Sequence, residues 1–117
     1  MQNYKDLKVW EKAHRFTLMV YEVSKRFPKE ELYGLTNQLR RASSSIPANI
    51  SEGCGKRTKI DFSNFLHIAL GSANESEYFI LLAKDLTYIN AEKFAELSKL
   101  INEIKAMLIV LSAKVRL

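Results

Sequence analysis

Apolar residues recur every three or four positions along most of the chain, which is the spacing of amphipathic α-helices. Prolines, glycines and capping residues divide this pattern into four segments. We predict helix one at residues 6–26, helix two from 31–35 to 53–55, helix three at 58–87 and helix four after residue 90. Short connections between long helices predict an all-α, antiparallel up-down-up-down four-helix bundle, forming a single domain over residues 1–117.

Pro47 lies inside the pattern of helix two. Proline lacks an N–H, and its ring crowds the carbonyl of the residue four positions earlier. A helix that stopped and restarted at Pro47 would make Ile46 its N-cap, and isoleucine is a poor cap. We therefore favour one helix kinked at Pro47, with the hydroxyls of Ser43, Ser44 and Ser45 near the freed carbonyls.

The helix ends carry recognisable signals. Gly53 and Gly55 suit a left-handed cap at the end of helix two. Thr58 is the predicted N-cap of helix three, with Asp61 at the capping-box position. Asn90 is the predicted N-cap of helix four.

Polar residues interrupt the apolar faces of helices two and three. Asn49 occupies an apolar position, either as a structural asparagine bonded to the backbone, Arg41 or Glu52, or as a ligand-binding residue. Because an unpaired buried carboxylate is costly, we expect Glu75 to pair with Arg40 or Arg41. The predicted structural polar network is Arg40, Arg41, Asn49, Glu52 and Glu75.

Ile68 and Leu82 lie off the main apolar seam of helix three, on the flank that holds Glu75. This second apolar face is either an enlargement of the core face or a contact with another subunit. Small residues at the middle of the helix would let a neighbouring helix approach closely: Gly71, Ser72, Ala73 and Ser76.

Composition narrows the class of protein. The chain has 117 residues, 47% hydrophobic content and a net charge of +5, with 18 Lys and Arg against 13 Asp and Glu. These values fit one globular domain and are compatible with nucleic-acid binding. No apolar run reaches the roughly 20 residues of a membrane span, and the N-terminus lacks a signal-peptide core. A lone Cys54 suits a reducing compartment, so we expect a cytoplasmic protein.

Lys56, Arg57 and Lys59 cluster where helix three begins, and helix N-termini favour anions. In the predicted topology Lys5, Lys8 and Lys12 share that end of the bundle. We predict that these six residues contact the phosphates of RNA or DNA with little sequence preference, since aromatic residues at that end are few. A solvated basic loop is the alternative.

The sequence does not complete the motif of a metal site or of a nucleotide-binding loop. Glu11 and His14 match half of a di-iron motif, but His67 has Asn64 where the second glutamate is needed. The Gly-Cys-Gly-Lys-Arg-Thr segment lacks the residues of a phosphate loop. We expect no catalytic residues, no metal, no cofactor and no enzymatic activity.

Three segments carry a family resemblance: YKDLKVWEKA, SSSIPANISEGCGKR and DFSNFLHIALGSANESEYFILLA. They resemble the four-helix-bundle proteins first met in intervening sequences of bacterial large-subunit ribosomal RNA genes. The resemblance implies a homo-oligomer, usually a ring of five, with no established enzymatic activity and a suspected role in nucleic-acid binding. It favours a non-enzymatic bundle that binds structured RNA or DNA; a protein-interaction scaffold is the alternative.

Overall fold

The computed structural model describes residues 2–117. Four α-helices account for most of them: α1 (Lys8–Ser24), α2 (Leu35–Cys54), α3 (Lys59–Asp85) and α4 (Ala91–Val115). Short 3₁₀ helices precede α1 at Tyr4–Asp6 and α2 at Lys29–Glu31, and the described residues form no strand. The predicted all-helical fold with four helices is confirmed, with boundaries displaced by a few residues.

Consecutive helices run antiparallel. Between α1 and α2, Thr17 contacts Ser43 while Ser24, further along α1, contacts Arg40, earlier in α2. Polar contacts also join the other neighbouring pairs of helices: Ser45 with Ser72, Glu77 with Lys105, and Lys12 with Glu103. These contacts show that α1 packs between α2 and α4, and that α3 lies across from α1. The bundle measures 44 × 24 × 19 Å.

The apolar seams of the four helices meet in one core. Phe16, Ile46, Leu66, Ile101 and Leu108 are completely buried. The apolar spacing of α3 predicts a seam of seven residues, of which Phe62 is only half-buried and the other six are buried: Leu66, Ala69, Ala73, Ser76, Ile80 and Ala83. Across residues 2–117, none of the helices combines the length and apolar character that a membrane crossing requires.

α2 continues unbroken through Pro47, as the single-helix interpretation predicts. The carbonyl that proline leaves without an N–H partner belongs to Ser43, and it accepts a 3.0 Å hydrogen bond from Thr17 Oγ1 of α1. The predicted role of the serine hydroxyls is wrong, because Ser43 and Ser44 donate instead to the carbonyls of Arg40 and Arg41. The freed carbonyl thus ties α1 to α2. The kink itself stays a prediction.

Both predicted N-caps are confirmed. Thr58 Oγ1 accepts from the backbone N–H of Asp61 at 3.0 Å, and Asn90 Oδ1 accepts from Lys93 N–H at 2.8 Å. These bonds satisfy backbone donors that lack partners inside the first turn. Side-chain capping therefore fixes where α3 and α4 begin.

The predicted left-handed cap of α2 is wrong. Gly55 has a φ of −87°, an ordinary right-handed value, and no glycine of the described chain has a positive φ. Gly53 serves close packing instead, because a Cβ atom there would lie 2.9 Å from Phe65 Cβ and 3.0 Å from Phe62 Cδ1. The missing side chain lets α3 cross close to the end of α2.

α3 has the left-handed ending that the sequence did not indicate. Thr87 adopts a φ of 65°, the Tyr88 N–H donates to Ala83 O at 2.8 Å, and the Thr87 N–H donates to Lys84 O at 2.9 Å. This pair of bonds is a Schellman motif, which glycine usually completes. A β-branched residue at positive φ carries strain.

Candidate nucleic-acid interface

One end of the bundle, which we call the basic end, contains the start of α1, the connection between α2 and α3, and the end of α4. A surface groove of about 580 Å³ opens there. Its residues come from all of these segments: Gln2, Leu7, Cys54, Lys56, Arg57, Thr58, Lys59, Phe62, Leu111, Lys114 and Val115. We call it the basic groove, since four of its residues are cationic and, among the described residues that line it, none is acidic.

The α2–α3 connection places the central cations of the groove. The turn is short because Gly53 lets the helices meet closely and Thr58 caps α3 at once. Lys56, Arg57 and Lys59 are all exposed. Lys56 Nζ lies 3.9 Å from Glu52 Oε2 and 4.9 Å from the ring centroid of Phe65. So long an ion pair at the surface neutralises little of its charge.

The three lysines predicted to support this site differ in their surroundings. Lys12 Nζ forms a 2.9 Å ion pair with Glu103 Oε2 of α4, which compensates its charge. The hydrogen bond and charge of Lys12 hold the pKa of Glu103 below its ordinary value. Lys5 lies 5.9 Å from the ring centroid of Tyr4, and Lys8 is exposed near the start of α1. Of the six predicted residues, only Lys56 and Arg57 of the α2–α3 connection and Lys59 at the start of α3 line the groove.

The site prediction omitted Lys114 and the apolar floor. Lys114 lies in the last turn of α4, and Leu111 and Val115 precede and follow it on the groove wall. Leu111 and Val115 follow the apolar spacing of α4, which predicts core positions, whereas the structure leaves both only half-buried. The topology alone was a signal for Lys114, because α4 must end beside the α2–α3 connection.

Cys54 closes the inner side of the groove. Its side chain is buried, and burial raises the pKa of its thiol. A raised pKa reduces the thiolate fraction at neutral pH, and the thiolate is the reactive form. The geometry therefore gives Cys54 a packing role at the end of α2.

The predicted polar network does not form as a connected set. Arg40 Nε donates to Ser24 Oγ at 2.8 Å, and its guanidinium carbon lies 4.8 Å from the ring centroid of Tyr21, both on α1. Asn49 Nδ2 donates to the carbonyl and hydroxyl oxygens of Ser45 within its own helix. Asn49 therefore makes the backbone hydrogen bond that its structural interpretation predicts. Arg40 contacts α1 rather than Glu75 of α3.

Glu75 is exposed rather than buried. It shares an open pocket of about 350 Å³ with Arg41, Gln38 and Ser45, but no ion pair within 4.0 Å joins it to either predicted arginine. An exposed carboxylate at this position does not need a partner cation to offset the cost of burial. Its premise, a buried charge, was wrong.

The two residues of the predicted second apolar face of α3 differ in their surroundings. Ile68 is 51% exposed, whereas Leu82 is partly buried and packs against the core. Gly71 faces open space, with no atom near the position of an added Cβ, so it does not bring another helix of this chain closer. Ser72 does contact α2 through Ser45, as its small size predicts.

The two histidines lie on the surface. The His14 ring stacks on Trp10 with centroids 5.1 Å apart, and His67 Nε2 lies 3.3 Å from Ser112 Oγ. Among residues 2–117, no group of three or more histidine, cysteine or carboxylate side chains is arranged to hold a metal ion.

Comparisons with known proteins agree with the helical architecture. The family model described as "23S rRNA-intervening sequence protein" matches residues 5–110. A similar solved structure is that of a protein with unknown function from the S23 ribosomal protein family of Bacteroides thetaiotaomicron VPI-5482. The two share 30% identity with a TM-score of 0.83, over 89% of this chain and 97% of that one. No curated protein matches the chain.

Proposed function

The chain belongs to the 23S rRNA-intervening sequence protein family, and from this premise we propose a non-enzymatic, homo-oligomeric bundle that binds the backbone of structured RNA or DNA through its basic end. One observation carries the proposal. Lys56, Arg57, Lys59 and Lys114 surround one groove that no described acidic residue lines. Nucleic-acid phosphates are the polyanion that such an arrangement fits.

The physical basis is counterion release. Each phosphate contacted by Lys or Arg releases condensed cations, so affinity falls as salt rises, with a logarithmic slope of about −0.7 to −0.9 per contact. Four contacts would give about a 10²-fold loss between 50 and 200 mM salt. Backbone contacts carry no base information, so this part of the binding is independent of sequence.

Self-association would strengthen such binding. Several large apolar side chains are exposed on the outer faces of the helices: Leu18, Tyr21, Ile68, Tyr78, Ile109 and Val110. These side chains are available for contacts between subunits on more than one face of the bundle. A side-by-side ring, for which the family resemblance suggests five copies, would bring several basic grooves onto one face and so add their phosphate contacts.

A charge-reversal pair tests the proposal. Lys56→Glu with Arg57→Glu should abolish retention on a mixed RNA and DNA panel at 50 mM salt while the circular dichroism spectrum stays helical. The matched control is Lys25→Glu with Arg26→Glu, which changes the net charge equally at the other end of the bundle. The control should retain binding; equal loss in both variants would show that net charge, rather than this groove, is responsible.

A protein-interaction scaffold is the second candidate, and the exposed apolar residues are the observation that favours it. Retention on RNA and DNA across a salt series, with the mass determined in parallel by light scattering, separates the two. Oligomers that bind no nucleic acid at 50 mM salt would remove the nucleic-acid proposal and leave the scaffold. Oligomers with steep salt-dependent binding would support the first.

A further inference from the structure

The basic groove has a feature that phosphate binding does not use. Its floor is apolar: Leu7, Phe62, Leu111 and Val115 line it and are each only partly buried. Backbone recognition requires cations and hydrogen-bond donors, and gains nothing from exposed hydrocarbon. Burying this floor requires an apolar surface on the ligand. The groove therefore has two chemistries side by side, an apolar floor and a cationic rim.

An unpaired nucleotide matches both parts. Its base offers a flat face to Phe62 and the aliphatic residues, while its phosphates reach the rim. The volume of about 580 Å³ falls within the range of about 300–1,000 Å³ typical of small-molecule pockets, which is large enough for a base to enter. We propose that the basic groove binds an unpaired nucleotide, with the base on the Phe62 floor and the flanking phosphates on Lys56, Arg57, Lys59 and Lys114. This inference rests on the proposed function and names its substrate class: loops, bulges or single strands rather than continuous duplex.

The arrangement of charges favours a nucleotide strand over an anionic amphiphile. The cations lie on two sides of the floor, with Lys56, Arg57 and Lys59 on the α2–α3 side and Lys114 on the α4 side. A strand has a phosphate on each side of its base, whereas an amphiphile has a single headgroup. A duplex cannot reach the floor, because its base faces are covered by stacking; specific RNA recognition commonly uses unpaired, splayed bases for this reason.

The experiment compares three ligands with equal numbers of phosphates: a single-stranded oligonucleotide, the same strand with abasic sites, and a fully paired duplex whose ends are closed by linkers that contain no bases. Wild-type protein should bind the base-containing strand at least about fivefold more tightly than either other ligand, the lower limit for one base stacked on an aromatic ring. A 2-aminopurine in the strand should change fluorescence on binding. Phe62→Leu, which keeps an apolar side chain, should remove most of this preference and leave the salt slope unchanged.

The outcomes separate this inference from the proposed function. If all three ligands bind equally with a steep salt dependence, the base site is wrong while backbone binding stands. Displacement of the strand by dodecyl phosphate, without any preference for bases, would identify an amphiphile site and also overturn the inference. If none binds at 50 mM salt, the proposed function itself fails. The ligand comparison on wild-type protein decides the matter even if Phe62→Leu does not fold.

Discussion

The two ends of the bundle use similar residues in different ways. Basic side chains outnumber acidic ones at the basic end: Lys5, Lys8, Lys12, Lys56, Arg57, Lys59, Lys114 and Arg116 against Asp6, Glu11, Glu52 and Asp61. The opposite end, where α1 and α3 finish, is near neutral: Lys25, Arg26, Lys29, Lys84 and Lys93 against Glu22, Glu30, Glu31, Asp85, Glu92 and Glu96. Among the cations of the opposite end, Lys25 and Lys93 pair with Glu22 and Glu96 at 3.2 and 3.4 Å. One pocket at the opposite end, of about 220 Å³, contains Glu22. A second pocket there, of about 360 Å³, has Lys25, Lys29 and Arg40 in its described lining and no carboxylate, but Lys25 is paired with Glu22 and Arg40 is bonded to Ser24. The basic groove is larger than either, at about 580 Å³, and has four cations in its lining.

Carboxylates at the opposite end stabilise the fold. Glu31 Oε1 accepts from the Leu35 N–H at 3.2 Å, and Glu31 Oε2 accepts from the Tyr88 hydroxyl at 2.9 Å. This hydrogen bond, together with burial and the charge of Glu31, raises the pKa of Tyr88. Phe27 packs beside the Tyr88 ring. The proposed binding surface is therefore distinguished from the opposite end by uncompensated charge, and the number of lysines and arginines alone does not reveal it.

The largest loss of stability should come from adding one methyl group at Gly53, where α2 ends beside the basic groove. Gly53→Ala would place a Cβ against Phe65 and Phe62, and overpacking typically costs about 1–3 kcal/mol, more than the gain of about 1 kcal/mol in helix propensity. Urea unfolding at fixed protein concentration should show net destabilisation.

Gly71→Ala is the matched control for that substitution. It adds the same methyl group to α3 where nothing lies nearby, and it should stabilise the protein by up to about 1 kcal/mol. Stabilisation by both substitutions would contradict the close approach at Gly53. A smaller oligomer for Gly71→Ala alone would locate a subunit contact at Gly71.

Glycine should be favoured over the present residue at the end of α3, where the chain has Thr87, and should be dispensable at the end of α2, where the chain has Gly55. Thr87→Gly relieves a β-branched residue at a φ of 65° and should raise the free energy of unfolding by about 1 kcal/mol. Gly55→Ala should be neutral or slightly stabilising, because Gly55 already has a right-handed φ and an added Cβ would make ordinary contact. Destabilisation by Thr87→Gly, measured by urea unfolding, would exclude the left-handed cap of α3.

The smallest effect concerns Lys12 at the edge of the basic end. Because the folded-state pKa of Glu103 is lowered, the Lys12–Glu103 pair contributes stability above the ordinary glutamate pKa of about 4.3 and loses it as pH falls through the lowered value. Glu103→Gln should remove this contribution, so the stability difference from wild type should vanish at low pH. Thermal unfolding between pH 7 and pH 2 measures it.

The same substitution sharpens the charge comparison. Freeing Lys12 from its ion pair should slightly increase nucleic-acid retention at 50 mM salt, since one more cation becomes available. Unchanged retention would show that Lys12 is too distant from the bound phosphates. Glu96→Gln frees Lys93 at the opposite end and is the control, for which no increase is expected.

Prediction from the sequence succeeded where the signal is local and periodic. The alternation along α4, from Leu97 to Leu108, gave its buried face, and Thr58 and Asn90 gave the helix starts through bonds that span only three residues. It failed where a partner comes from another helix. Thr17 completing the Ser43 carbonyl and Arg40 turning towards α1 depend on how the helices are placed, which periodicity does not encode.

The candidate site divides in the same way. The four helices, their order and the position of Lys56, Arg57, Lys59 and Lys114 at one end follow from the sequence, because helix length and short connections dictate which termini meet. Tertiary packing was needed to show that Lys114 lines the same groove as these residues, that Glu103 compensates Lys12, and that Phe62 and its aliphatic neighbours form a half-buried floor. The physical reason is distance along the chain: α1 and α4 meet the α2–α3 connection through contacts between residues far apart in sequence, and these depend on packing.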